Sequence, residues 1–135
     1  MRFYMAHLID SSVWAALFLD FDVQHRKAVR VIRKTSGLIY APYCVIVEVT
    51  TVLAYKHSKQ LADNFIAYLR DNKDIRIIND DASDETDFYA TVSQKISFTD
   101  AALLFLSDKL GADLLTFDAQ LARIAKKFRQ KQPQT

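Results

Sequence analysis

A chain of 135 residues that is 50% hydrophobic and 25% charged can bury one hydrophobic core and is too short for two domains. Its two glycines and two prolines argue against a barrel or sandwich with many tight turns, and against disordered linkers. The formal net charge of +2 does not by itself indicate a class of partner.

The N-terminal sequence and the cysteine content indicate where the protein acts. A single cysteine, Cys44, excludes an internal disulfide, so no oxidising compartment is required. His7 and Asp10 interrupt the first apolar run, and the next one, 13–19, is far shorter than the roughly 20 residues of a membrane span. We therefore expect a soluble, cytoplasmic protein that does not associate with a membrane.

Short apolar runs alternate with longer amphipathic ones along the chain. In chain order they predict a strand at 3–9, helices at 13–19 and 24–34, a strand at 38–41, helices at 45–55 and 61–70, a strand at 75–78, helices at 85–94 and 97–110, a strand at 113–116 and a helix at 118–128. Asp10-Ser11-Ser12 can cap the first helix, and Gly111 is a typical C-terminal stop.

The segment 45–55 has two interpretations. Its β-branched residues favour a strand. Its uninterrupted length through Tyr55 exceeds the usual 4–8 residues of a strand, so we predict a helix.

Strands separated by helices imply right-handed crossovers and a parallel sheet covered on both faces. We predict an α/β fold: a single-domain, three-layer α/β/α structure with a central parallel sheet of four to five strands. The expected domain covers residues 1–129, and 130–135 form a polar C-terminal tail.

Four carboxylates stand in otherwise apolar stretches, where an unpaired charge is costly to bury. They are Asp10, Glu48, Asp100 and Asp118. Asp10 ends the first predicted strand and Asp118 follows the fourth by two residues, and ligands of open parallel sheets bind at the carboxyl ends of strands. A fold that gathers these acids suits a hard divalent cation.

Each acid also has a structural explanation. Asp10, Asp100 and Asp118 are all in helix-capping positions, and Asp100 follows Ser97 at the spacing of a capping box. Glu48 has valines on both sides and Val52 four residues on, so we expect no solvated helix face around it. The structural alternative for Glu48 is a buried salt bridge to an arginine.

The order of these acids resembles a known family. Leu8-Ile9-Asp10-Ser11-Ser12-Val13, Glu48 in an apolar helix, Thr99-Asp100-Ala101 and Leu114-Leu115-Thr116-Phe117-Asp118 together resemble the PIN domain. The compact size and the segment 98–122 are similar to the VapC-type toxins of bacterial and archaeal toxin–antitoxin operons. The likeness extends over nearly the whole chain.

The resemblance implies a PIN-like fold and a Mg²⁺- or Mn²⁺-dependent ribonuclease. It implies that Asp10, Glu48, Asp100 and Asp118 form the metal site, that Ser12 supports the first acid, and that Glu48 lies on a helix. It further implies a homodimer and a small antitoxin protein whose segment blocks the acidic pocket. Many relatives have a fifth strand after the last helix, whereas 128–135 lacks an apolar run.

Basic residues outside the acids could contact an RNA substrate. One face of the second predicted helix carries Arg26, Lys27, Arg30, Arg33 and Lys34. A solvated helix face is the alternative for such a stripe, and phosphate contact becomes plausible beside a metal pocket. Zinc does not fit, because one cysteine and three scattered histidines cannot supply its usual ligands.

Two other functions remain open at this point. A phosphoacceptor receiver domain is also doubly wound with an acidic pocket. It requires paired acids after the first strand, whereas Asp10 stands alone. It also requires an aspartate at the end of a central strand, whereas the third strand here ends at Ile78-Asn79. A non-catalytic PIN-like module that binds RNA or protein is the other alternative, and the presence of all four acids argues against it.

Overall fold

The computed structural model describes residues 6–79 and 81–131, without the side chains of 129–131. Its elements in chain order are β1 (Ala6–Ile9), α1 (Ser11–Phe18), α2 (His25–Lys34), β2 (Leu38–Pro42), α3 (Tyr43–Lys56), α4 (Lys59–Asp71), β3 (Ile75–Ile78), α5 (Ala82–Thr91), α6 (Phe98–Leu110), β4 (Asp113–Leu115) and α7 (Ala119–Lys131). None of the helices in these residues is long and apolar enough to cross a membrane.

The four strands form one parallel sheet in the order β3-β2-β1-β4. The chain moves outward from β1 to β2 and β3, then returns to place β4 on the other side of β1. Right-handed crossovers therefore put α1–α4 on one face of the sheet and α5–α6 on the other. The predicted α/β/α fold with a parallel sheet is confirmed.

This strand order has two consequences. It differs from the 2-1-3-4-5 order of the flavodoxin-like fold, to which receiver domains belong, and so argues against the receiver alternative. It also makes the gap between β1 and β4 a topological switch point, where open α/β sheets bind ligands. No fifth strand is present in the residues that the structure describes, and 132–135 lie outside them.

Most predicted elements are confirmed within a few residues. The segment 45–55 is helical, in α3, and the described part of the first strand is Ala6–Ile9, with 3–5 outside the description. α7 continues to Lys131, past the start of the predicted tail at Gln130.

α5 is displaced from its predicted position at both ends, covering Ala82–Thr91 and not 85–94. Asp81 caps the helix by accepting a hydrogen bond from Asp84 N at 3.2 Å. The buried Glu85 carboxylate in turn accepts one from Asp81 N at 2.8 Å. The two acids act as an N-terminal cap that extends the helix by one turn.

An aromatic cluster fixes α1 against α4. Trp14 is fully buried, with its ring edge-on to Phe65 at 5.5 Å and to Tyr68 at 5.9 Å between ring centroids. Phe18 contacts the same two rings at 5.4 and 5.6 Å. Truncating such a core aromatic costs about 3–5 kcal/mol. The N-terminus of α1, which follows Asp10, is therefore held rigidly above the sheet.

Candidate active site

The structure brings all four predicted acids to one cleft at the switch point. The cleft has a volume of about 310 Å³, and its polar lining consists of Asp10, Ser11, Ser12, Glu48, Ser97, Asp100 and Asp118. β1 and the start of α1 supply the first three of these, α3 supplies Glu48, the start of α6 supplies Ser97 and Asp100, and the loop after β4 supplies Asp118.

Asp10 is the most buried of the four acids, with 4% of its surface exposed. Its backbone N–H continues the sheet by donating to Leu115 O at 2.9 Å. Its carboxylate caps α1, accepting from Ser11 N at 2.7 Å. The hydroxyls of Ser12 and Thr116 donate to Oδ2 of Asp10 at 2.9 and 2.7 Å. These donors fix the orientation of the carboxylate.

Glu48 is half-buried and accepts a hydrogen bond from Ser11 Oγ at 2.6 Å. No salt bridge to it exists among the described side chains, those of 6–79 and 81–128. The expectation that no solvated face surrounds it is wrong, because the preceding Val47 is 45% exposed while Val49 is fully buried. Glu48 therefore lies where the buried face of α3 meets solvent.

The loop between β4 and α7 connects two of the acids. Thr116 Oγ1, which donates to Asp10, also accepts from Asp118 N at 3.0 Å. Phe117 N donates to Ser12 Oγ at 3.1 Å. Asp118 caps α7 through one oxygen, Oδ1, which accepts from Gln120 N and Leu121 N at 2.9 and 3.1 Å. The cap and the cleft thus share this residue.

Asp100 lies close enough to the other three acids for their charges to affect its pKa. Ser97 caps α6 by accepting from Asp100 N at 3.0 Å, so the capping explanation applies to the serine. Burial and, in decreasing order, the charges of Asp10, Asp118 and Glu48 together raise the pKa of the Asp100 carboxyl from 3.8 to about 6.

The donor set fits a hard divalent cation in kind. The cleft presents carboxylate and hydroxyl oxygens, which Mg²⁺ and Mn²⁺ prefer, and no cysteine or histidine lines it. In the described part of the chain, however, no three His, Cys, Asp or Glu side chains are already arranged to hold one ion. Mg²⁺ does not require such a cage, because it commonly uses one or two carboxylates with waters and substrate phosphates.

The basic stripe of α2 is exposed, and one member contacts the site. Lys27 Nζ lies 4.8 Å from the centre of the Phe117 ring. Among the described residues, no hydrogen bond or ion pair connects the other members to the cleft: Arg26, Arg30, Arg33 and Lys34. The contact of these residues with RNA stays a prediction.

Sequence reasoning did not predict three residues that hold the site together. Ser11 joins Asp10 to Glu48, and Thr116 joins Asp10 to Asp118. Phe117 joins Ser12 to Lys27. A hydroxyl next to an acid in the sequence is the only available signal, and it does not identify a partner 106 residues away.

Three comparisons place the chain among known proteins. A family model described as the PIN domain matches residues 7–127. No curated protein matches significantly. Chains of solved structures do match, among them VapC20 of Mycobacterium tuberculosis, described as a toxin that cleaves the sarcin-ricin loop. That structure is similar with a TM-score of 0.78 and 23% identity, covering 87% of this chain and 93% of its own, and the likeness shows a shared fold.

Proposed function

The chain belongs to the PIN domain family, and from this premise we propose that it is a metal-dependent endoribonuclease that hydrolyses RNA phosphodiester bonds. The observation that carries the proposal is the gathering of four carboxylates in one cleft at the switch point of the sheet. Burial and then the charges of the other three carboxylates raise the pKa of Asp100, so the four acids repel one another in the cleft. A divalent cation relieves that repulsion.

The proposed ligands of the cation, Mg²⁺ or Mn²⁺, are the four acids. Asp10 and Asp100 are proposed to bind it directly, and Glu48 and Asp118 to complete the site directly or through water. When bound, the cation supplies Lewis-acid activation of a water and neutralises charge at the phosphate.

The chain's own residues supply positioning. Ser12 and Thr116 hold one oxygen of Asp10 in place by donating to it at 2.9 and 2.7 Å. Ser11 holds Glu48 in place by donating to its carboxylate at 2.6 Å. Glu48 or Asp118 would orient a water for attack on phosphorus, since each has a carboxylate oxygen that accepts no hydrogen bond from the described residues.

We also propose that the protein is a VapC-type toxin. Its compact length and its likeness in fold to VapC20 support this assignment. The proposed partners are the RNA substrate, a small antitoxin whose segment blocks the cleft, and a second copy of the chain in a homodimer. The proposed place of action is the cytoplasm.

The test is cleavage of single-stranded RNA by the wild type and by Asp100→Asn, purified in the same way so that a contaminating nuclease affects both. We expect Mg²⁺- or Mn²⁺-dependent cleavage that EDTA abolishes and that the substitution lowers by at least about 100-fold. Circular dichroism should show that the variant is folded. Undiminished cleavage by Asp100→Asn contradicts the proposal, and RNA binding without cleavage by the wild type indicates the non-catalytic module.

A further inference from the structure

Lys27 is held against the loop that carries part of the site. Its Nζ lies 4.8 Å from the centre of the Phe117 ring. Phe117 stands between Thr116 and Asp118, and its backbone N–H donates to Ser12 Oγ at 3.1 Å. Phe117 therefore connects the Lys27 ammonium group to Ser12, which donates to Asp10, and to its sequence neighbour Asp118.

The Lys27 ammonium group lies beside the loop that carries Asp118 and forms no ion pair among the described side chains. Among the side chains of 6–79 and 81–128, ion pairs join Lys59 to Asp63 and Lys109 to Asp81, and none involves Lys27. Lys27 rests on an aromatic face, an exposed contact that contributes only about 0.5–1 kcal/mol. So weak a contact can be exchanged for an anion without a large cost.

The direction of α2 places Lys27 nearer to the cleft than Arg30 and Lys34. The helix begins near the Phe117 loop, whereas Ser36, just after its end, accepts a hydrogen bond from His7 Nε2 at 2.9 Å. His7 precedes Asp10 by three residues on β1, toward the opposite edge of the sheet. At a rise of 1.5 Å per residue, Arg30 and Lys34 lie about 5 and 10 Å farther along the helix axis.

A polyanion that enters the cleft needs such a cation. The scissile phosphate would bind at the metal site. The neighbouring phosphate lies outside that site and is repelled by the same carboxylates. We propose that Lys27 binds the backbone phosphate adjacent to the scissile bond. The other basic residues of α2 then contact the RNA farther from the cleft. The inference rests on the proposed ribonuclease function.

The experiment measures kcat and KM for single-stranded RNA at several salt concentrations with Lys27→Gln, Lys27→Arg, Lys34→Gln and Lys73→Gln. Lys73 is an exposed lysine in the turn before β3, away from the cleft edge, so its variant matches the charge change. We expect Lys27→Gln to raise KM about tenfold with a smaller change in kcat. Its dependence of log(kcat/KM) on log salt should be shallower by about 0.7.

The other variants locate the effect. Lys27→Arg should restore most of the loss, Lys34→Gln should have a smaller effect than Lys27→Gln, and Lys73→Gln should behave as the wild type. The Mg²⁺-induced rise in melting temperature should be unchanged in Lys27→Gln, because its role is to bind RNA and not to brace the Phe117 loop.

Three results overturn the inference, and they can be told apart. If the wild type does not cleave RNA, both the proposed function and the inference fail. If the wild type cleaves and Lys27→Gln equals Lys73→Gln, the role of Lys27 alone fails. If Lys27→Gln and Lys27→Arg both lose kcat together with the Mg²⁺ response, Lys27 is a structural residue of the loop.

Discussion

Two groups of acidic side chains lie near helix N-termini in this fold, and their negative charges are balanced by different groups. At the start of α5, Asp81 accepts from a backbone N–H, and Glu85 accepts from the N–H of Asp81. Lys109 Nζ lies 3.5 Å from Asp81 Oδ2. This group, the α5 cap, combines amide donors with a cation.

The cleft has amide donors and hydroxyls but no paired cation. Asp10 accepts from one backbone N–H and from the hydroxyls of Ser12 and Thr116, and Glu48 accepts from a serine hydroxyl. In the described residues, no lysine or arginine forms an ion pair with any of the four acids of the cleft.

The pKa values of Asp81 and Asp100 move in opposite directions. The backbone N–H of Asp84 holds the pKa of Asp81 below its ordinary value, although contact with Asp81 raises the pKa of Asp84. Burial and three neighbouring acids raise the pKa of Asp100 to about 6. Asp81 is therefore satisfied within the fold, whereas the uncompensated charges around Asp100 are typical of a ligand-binding site.

The sharpest test of this difference compares Asp10→Asn with Asp81→Asn. Asparagine caps helices as well as aspartate does, so both variants should fold. We expect Asp10→Asn to lower metal-dependent RNA cleavage by at least about 100-fold, because it removes a proposed ligand. Asp81→Asn should retain wild-type cleavage. Equal activities for the two variants, measured as kcat/KM, would remove the distinction between the groups.

A smaller loss is expected when only the support of Asp10 is removed. Thr116→Val deletes the hydroxyl that donates to Asp10 Oδ2 and accepts from Asp118 N. Cleavage should fall by about 10–100-fold, the range typical of groups that orient metal ligands. Thr86→Val is the matched control, since that hydroxyl bonds to Ala82 O on exposed α5. A loss of similar size in both variants would show that the substitution itself is harmful.

The fold was largely predictable because its signals are local. Alternating apolar and amphipathic runs, the length of 45–55 and the stop at Gly111 predicted the elements, and right-handed crossovers then imply a parallel sheet. The start of α5 was not predicted, because a side chain and a backbone N–H four residues apart determine it.

The candidate site was predictable only in part. The acids stand out as charges in apolar runs, and the carboxyl ends of β1 and β4 bring Asp10 and Asp118 together. The supporting contacts depend on tertiary neighbours: Thr116 reaches Asp10 across 106 positions of sequence, and Lys27 reaches Phe117 from another helix. No periodicity encodes such pairs, and the exposure of Val47 beside Glu48 likewise depends on packing.

Mg²⁺ should stabilise the wild type and Asp81→Asn more than Asp100→Asn. A ligand that binds only the folded state at 100 times its Kd adds about 2.7 kcal/mol to the free energy of unfolding. We expect Mg²⁺ to raise the melting temperature of the wild type and of Asp81→Asn by several degrees, and that of Asp100→Asn by much less. A response in Asp100→Asn equal to that of the wild type would place the ion elsewhere.

The smallest expected effect is on metal-free stability as a function of pH. The pKa of Asp100 is about 6 in the folded state against an ordinary 3.8, so ionisation disfavours the folded state. The penalty is absent below pH 3.8, grows as the pH rises to about 6 and is constant above it. Asp100→Asn should therefore melt roughly 2 °C higher than the wild type at pH 7.5 and at the same temperature near pH 4, the shift being small because solvent screens a half-buried group.

Asp81→Asn should show the opposite sign in the same buffers. The lowered pKa of Asp81 means that its charge stabilises the folded state above the ordinary value of 3.8, and that this contribution is lost as the pH falls through the folded-state pKa. The variant should melt lower than the wild type at pH 7.5 and approach it near pH 3. If the melting temperatures of Asp100→Asn and Asp81→Asn instead shift in the same direction at pH 7.5, the two charges do not have opposite effects on the folded state. The cleft then has no excess charge for a cation to neutralise.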